Sequence, residues 1–155
     1  VKFDDRVNVT PGWKFNEWEL KGVPVRVEVG PRDLAEGKVL SVRRDTFEKA
    51  PLDIEGLEDE IKAMLDAIQT NMFEIARAFR DAHTADVHNM EELEKQVNGG
   101  YAKAMWCGEQ TCEDEIKNRF GASSRCMPFD QTPIGETCVC CGKPAKKVIY
   151  FAKAY

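Results

Sequence analysis

Thr10-Pro11-Gly12-Trp13-Lys14-Phe15-Asn16-Glu17-Trp18-Glu19-Leu20-Lys21-Gly22-Val23-Pro24-Val25-Arg26-Val27-Glu28-Val29 changes backbone period part-way along, and that change decides the fold class. Thr10-Pro11 opens a short helix and Gly22 stops it, since Pro suits the first helical position and Gly the position just past the end. Val25, Val27 and Val29 then alternate with Arg26 and Glu28, a strand with one apolar and one charged face. Outward from this unit, Val1 to Phe3 reads as the tail of an earlier strand. Gly30-Pro31 is a break, and Arg32 to Glu36 makes a helical turn. Val39 to Arg44 forms a second strand, followed by a third run near Phe47 to Ala50. Helices and strands alternate, so the expectation is an α/β (α+β) architecture, a mixed β-sheet with flanking helices.

From Leu57 the period lengthens. Leu57, Ile61, Met64, Leu65, Ile68, Met72, Ile75, Ala76 and Phe79 recur at helical steps and predict one long amphipathic helix. Its acidic residues, among them Glu58, Asp59, Glu60, Asp66 and Glu74, fall mostly off that stripe and read as a solvated face. Asn89 caps a second helix to Val97, stopped by Asn98-Gly99-Gly100. Beyond it the pattern predicts a strand at Tyr101 to Trp106, a helix at Glu113 to Phe120, and strands around Ser124 to Pro128 and Lys147 to Ala152. Two domains follow, 1–85 with the long linking helix and 86–155 as a smaller α/β unit.

The chain has 155 residues with 43% hydrophobic and 32% charged residues, ordinary for a soluble globular protein. No apolar run approaches the ~18 residues of a membrane span. No secretory signal is visible and the first residue is Val1, so the chain reads as cytoplasmic and as cut from something longer. The net charge of −5 argues against a bulk phosphate binder. Its distribution is uneven: residues 1–50 carry ten Lys/Arg against nine Asp/Glu, residues 51–100 four against twelve, and residues 101–155 eight against six. Any RNA contact must therefore be local and specific rather than drawn in by a long-range field.

All six cysteines lie in the last third. Cys107 and Cys112 enclose four residues, Cys138 and Cys141 enclose two, and 25 residues separate the pairs. Without a secretory signal, paired cysteines on turns read as metal ligands, and four thiolates without a redox task suit structural Zn²⁺ in a closed tetrahedral site. Gly108 and Gly142 follow the first and last of the four, where a tight turn lets backbone N–H groups reach sulfur. Cys140 remains open as an alternative ligand. Cys126, alone in an apolar context, is expected to be a small core residue, and His83 and His88 are expected at the surface.

The run Thr10 to Arg26, with Gly30-Pro31-Arg32-Asp33-Leu34 and Val42-Arg43-Arg44-Asp45, resembles the anticodon-binding domain of prolyl-tRNA synthetases. Met105-Trp106-Cys107-Gly108, Cys112-Glu113, the Cys138 to Gly142 cluster and the terminal Phe151-Ala152-Lys153-Ala154-Tyr155 resemble the zinc-binding C-terminal extension of the archaeal and eukaryotic type. The resemblance implies the C-terminal part of a homodimeric class II ligase that joins L-proline to tRNA(Pro). ATP and Mg²⁺ would be confined to a catalytic domain outside this chain, which would be inactive alone. It also implies that the tail at Tyr155 turns its carboxylate towards that domain. A free-standing zinc-stabilised interaction module is the alternative.

Proline anticodons carry two guanines, and an unstacked guanine offers N1–H and N2–H donors that one carboxylate can accept together. The expected reading surface is therefore Lys14, Glu17, Glu19, Arg26, Arg32, Arg43, Arg44 and Lys49, carboxylates set among cations. The plainer alternative is that Glu17 and Glu19 face solvent and Arg26 pairs with Glu28 or a neighbour.

Overall fold

Thr10 begins the first element as expected, its hydroxyl accepting from the Trp13 backbone N–H at 3.4 Å and Pro11 taking the first helical position of α1, Pro11–Leu20. This computed structural model describes residues 1–154. The chain continues through β1 (Val25–Glu28), α2 (Pro31–Ala35), β2 (Lys38–Arg43), β3 (Lys49–Asp53) and α3 (Leu57–Ala82). Then come β4 (Thr84–Val87), α4 (Met90–Val97), β5 (Tyr101–Trp106), α5 (Gln110–Phe120), β6 (Ala122–Cys126) and β7 (Lys147–Lys153). Two compact units result, Val1–Ile75 and Ala76–Tyr155, dividing inside α3. No helix among the described residues is long and apolar enough to cross a membrane. The C-terminal expectation at Tyr155 lies outside the described residues.

In the first unit β1, β2 and β3 form an antiparallel sheet, with Val25 opposite Arg43 and Val42 opposite Lys49. Val39 and Val42 are buried, and the equally buried Ser41 satisfies its hydroxyl by donating to the Ala50 carbonyl at 2.9 Å. Val1 to Phe3 is not a strand. It pairs with nothing in the sheet and leaves Val1 and Phe3 exposed. Asp4, Arg6 and Trp18 hold the segment that follows, the indole N–H donating to Asp4 at 2.8 Å and the guanidinium gripping Asp4 at 2.8 and 2.6 Å. Hydrogen bonds from Arg6 and then Trp18 keep the Asp4 carboxyl well below the usual carboxylate range.

The third run also starts later than expected, because Phe47 is a turn residue with φ 58° and β3 begins at Lys49. A left-handed residue bearing a Cβ costs ~1–2 kcal/mol. Asp45 braces that turn. Arg43 donates to it at 3.1 and 2.7 Å and Asn71 of α3 at 2.8 Å, with the Asp45 side chain only 4% exposed. The Arg43 guanidinium, with help from Asn71, lowers the Asp45 pKa to about 2. A carboxyl with a depressed folded-state pKa contributes stability above its unfolded value and loses it as pH falls through the folded one. Asp45→Asn is therefore expected to lower the urea midpoint at pH 7, and the gap from the parent should close between about pH 4 and pH 2. Urea titrations across that range would check it; a gap that does not change with pH would assign the loss to packing.

In the second unit the strand order is β4-β5-β7-β6, with β4 parallel to β5 and the other pairs antiparallel, so the sheet is mixed. Helices α4 and α5 cover it. Leu93, Ile116 and Phe151 are fully buried in one cluster with Val97, Ala104 and Ile149, and burying each large side chain contributes ~1.5–3 kcal/mol. Asn89 caps α4 by accepting from the Glu92 N–H at 2.9 Å. Strand β4 had no expectation from sequence; it exists through its pairing with β5, which aligns Asp86 with Lys103. Cys126 is exposed rather than a core residue, because β6 shifts register between Ser124 and Cys126 as the strand ends. The α3 stripe is present, yet Ile68 alone is buried, while Leu65, Met72, Ile75 and Phe79 are exposed. His88 is exposed, and His83 stacks on Phe79 with ring centroids 4.0 Å apart.

Candidate functional site

Four cysteine sulfurs, those of Cys107, Cys112, Cys138 and Cys141, lie within 4.8 Å of one another in the second unit. Cys107 leaves the end of β5 and Cys112 sits in the first turn of α5. The other two come from the loop before β7, a knuckle closed by Cys138 N–H to the Lys143 carbonyl at 2.8 Å and Gly142 N–H to the Cys138 carbonyl at 3.0 Å. Val139 N–H donates to the Met105 carbonyl at 2.9 Å and stitches the knuckle to β5. Gly108 and Gly142 both have positive φ, 94° and 70°, which these tight turns require.

The sulfur spacing discriminates between chemistries. Cys107 to Cys112 is 3.6 Å and Cys107 to Cys141 is 3.9 Å, far beyond the ~2.05 Å of a disulfide. A tetrahedron of thiolates with metal–sulfur bonds of ~2.3 Å has edges of ~3.8 Å. The four cysteines can therefore hold one metal ion. Burial pushes the Cys107 and Cys112 thiols up. Burial also raises Cys138, but backbone N–H groups of Cys141, Cys140 and Cys107 outweigh it and bring that thiol down to about 7. Cys140 packs against the hydrophobic cluster, outside the four-sulfur group.

In the first unit, Glu19, Arg26, Arg43 and Arg44 meet around a shallow hollow that Val23 and Val42 complete. Arg26 donates to Glu19 at 2.5 Å and to Glu28 at 3.0 Å, so the plainer pairing occurs and Glu19 joins it. Among the described residues, only one Glu19 oxygen is engaged. Arg44 donates its Nε to the Glu19 backbone carbonyl at 2.9 Å, pinning the end of α1 to the end of the central strand β2. Glu17 is placed differently: Lys21 takes one oxygen and Arg6 the other, each at 2.6 Å, and these two cations, Lys21 foremost, lower its pKa. Lys14 donates to the Asp4 carbonyl at 3.1 Å in that same network. Arg32 on α2 and Lys49 at the start of β3 are exposed. Phe15 is the residue that sequence reasoning passed over. Its ring lies 3.9 Å below the Arg26 guanidinium. Its signal was the i, i+4 spacing to Glu19 on one helix face.

An anticodon-binding-domain model matches residues 1–64, and a model described as the C-terminal part of prolyl-tRNA synthetase matches residues 90–155. The chain belongs to the prolyl-tRNA synthetase family. It is 52% identical over 157 residues to a proline-tRNA ligase of Lachnoclostridium phytofermentans, covering all of this chain and 33% of that protein. It is 50% identical over 153 residues to proline-tRNA ligase 2 of Bacillus cereus, covering 97% and 32% respectively. With the proline-tRNA ligase 2 of Clostridioides difficile it shares 50% identity over 157 residues, again all of this chain and 33% of the relative. The chain thus spans about a third of the length of the synthetases it matches.

Proposed function

We infer that this chain is the tRNA-recognition part of a proline-tRNA ligase. The parent would join L-proline to tRNA(Pro) with ATP and Mg²⁺ in a catalytic domain that these residues do not include, as a cytoplasmic homodimer. Residues 1–85 form the anticodon-binding domain on this reading and 86–155 a domain stapled by Zn²⁺. The observation that carries the first half is the hollow where a carboxylate with one open oxygen sits among three arginines. Glu19 accepts from a guanine Watson–Crick edge there, Arg26 holds that carboxylate in place from above Phe15, and Arg44 sets positive charge beside the loop phosphates, with Arg43, paired to Asp45, lining the same hollow. Arg32 and Lys49 add exposed cations.

The four-sulfur spacing supports Zn²⁺. Bound there, the ion would supply folding energy rather than chemistry, because four thiolates leave no open coordination position. The chain's own part is to bring β5, α5 and the knuckle to one point.

Titration of the chain with a stem-loop RNA carrying a proline anticodon tests the recognition half. Binding should weaken when either guanine is replaced, by about five- to hundredfold for each lost base contact of ~1–3 kcal/mol. Equal affinity for a stem-loop lacking both guanines would overturn the reading.

A further inference from the structure

The hairpin between β2 and β3 presents Phe47 with φ 58° and 65% of the residue exposed. For a bulky residue a left-handed backbone is an outlier, and residues held in such regions cluster at ligand sites. Gly or Asn would close the same turn without that strain. The exposed ring also gains little from burial. The turn beneath it is firmly fastened. Phe47 N–H donates to the Arg43 carbonyl at 2.9 Å and Arg43 N–H to the Glu48 carbonyl at 3.0 Å. Asp45 is locked between Arg43 and Asn71. A rigid turn thus holds one aromatic plane in water.

The surroundings select the ligand. Thr46, Glu48, Arg44 and Lys49, the chain neighbours of Phe47, are polar and exposed, two of them cationic, which suits a phosphate-bearing ligand. Arg43 and Arg44, which open this turn, also line the hollow at Glu19, and Phe47 follows Arg44 by three residues, at most ~11 Å of extended chain. We propose that Phe47 is a stacking platform for an unpaired nucleobase of the RNA strand read at Glu19, with Arg44 and Lys49 facing its phosphates. The proposal rests on the RNA-binding reading of this unit. Every base has a π-face, so the platform adds affinity without selecting sequence, a task complementary to the carboxylate's.

Fluorescence anisotropy with a labelled proline-anticodon stem-loop, measured on the whole chain and its Phe47 variants, tests this. Phe47→Tyr should bind like the parent. Phe47→Gly and Phe47→Leu should weaken binding about five- to hundredfold, the range for one lost base stack, and equally on stem-loops with and without the guanines. The melting temperature of Phe47→Gly should stay level or rise, because relief of the left-handed strain outweighs the extra backbone entropy of glycine. Unchanged affinity in a folded Phe47→Gly, or Phe47→Leu matching Phe47→Tyr, overturns the platform while leaving RNA binding intact. Failure of the unsubstituted chain to bind overturns the RNA reading, and the platform with it.

Discussion

Chelating the metal, or replacing Cys138 by serine, should unfold the second unit and leave the first unit's sheet folded. On the zinc reading, apparent binding free energies for structural sites run to ~10–16 kcal/mol. A domain's whole stability is ~5–15 kcal/mol. The metal contribution is therefore as large as the net stability expected of residues 76–155. The sulfurs come from a strand end, a helix start and a knuckle, so losing one frees three segments at once. No strand is shared between the two sheets, which is why the first should survive. Metal analysis of chain purified without chelator should find about one equivalent of zinc. A change in the Trp106 part of the emission, over the constant background of Trp13 and Trp18, and in near-ultraviolet dichroism should follow chelation. Cys126→Ser, at an exposed position, should change stability by less than ~0.5 kcal/mol. Cys140→Ser should keep the metal and lose only packing, since Cys140 lies against the core and not in the four-sulfur group. A metal-free chain that folds unchanged would sink the zinc reading.

Much of this architecture was legible because the decisive signals are local. Thr10-Pro11 and Asn89 cap their helices through side chains only a few residues away, and the step pattern from Leu57 onward requires nothing beyond its own helix. The cysteine spacing was readable for a similar reason, since Cys107 and Cys112 flank one strand–helix junction and Cys138 and Cys141 share one knuckle. What failed was set by partners distant in sequence. Thr84–Val87 becomes a strand only because Tyr101 to Ala104 lies alongside it, and Val1 to Phe3 is coil for want of such a neighbour. The period of α3 gave the direction of its apolar face but not the cover over it, and Met72 and Phe79 stand exposed. Of the residues expected to read RNA, the sequence shows the types and not the pairs they form. Glu17 and Glu19 look alike in sequence, yet Arg6 and Lys21 occupy both oxygens of the first while Arg26 takes one oxygen of the second.

That asymmetry makes Glu19→Ala the most informative recognition variant. In the parent synthetase it should cost about 1–3 kcal/mol in discrimination between the wild-type tRNA and one with a guanine replaced, the magnitude for a bidentate base contact, since the oxygen that Arg26 engages keeps a second lone pair. The fold should tolerate the change. Arg26 keeps Glu28 at 3.0 Å and its place over Phe15, and the bond from Arg44 goes to the backbone carbonyl of residue 19, which alanine retains. Glu17→Ala should act otherwise, loosening the Arg6 and Asp4 network and weakening all tRNAs alike, if it weakens any. Lys49→Ala, removing an exposed cation proposed to meet phosphate, should also lower every affinity uniformly and reduce the salt dependence by about one phosphate contact. Aminoacylation kinetics of the three variants on wild-type tRNA and on both guanine replacements separate these outcomes. Discrimination retained by Glu19→Ala, with equal loss on every tRNA, would remove Glu19 from base reading and leave the hollow a phosphate-binding surface.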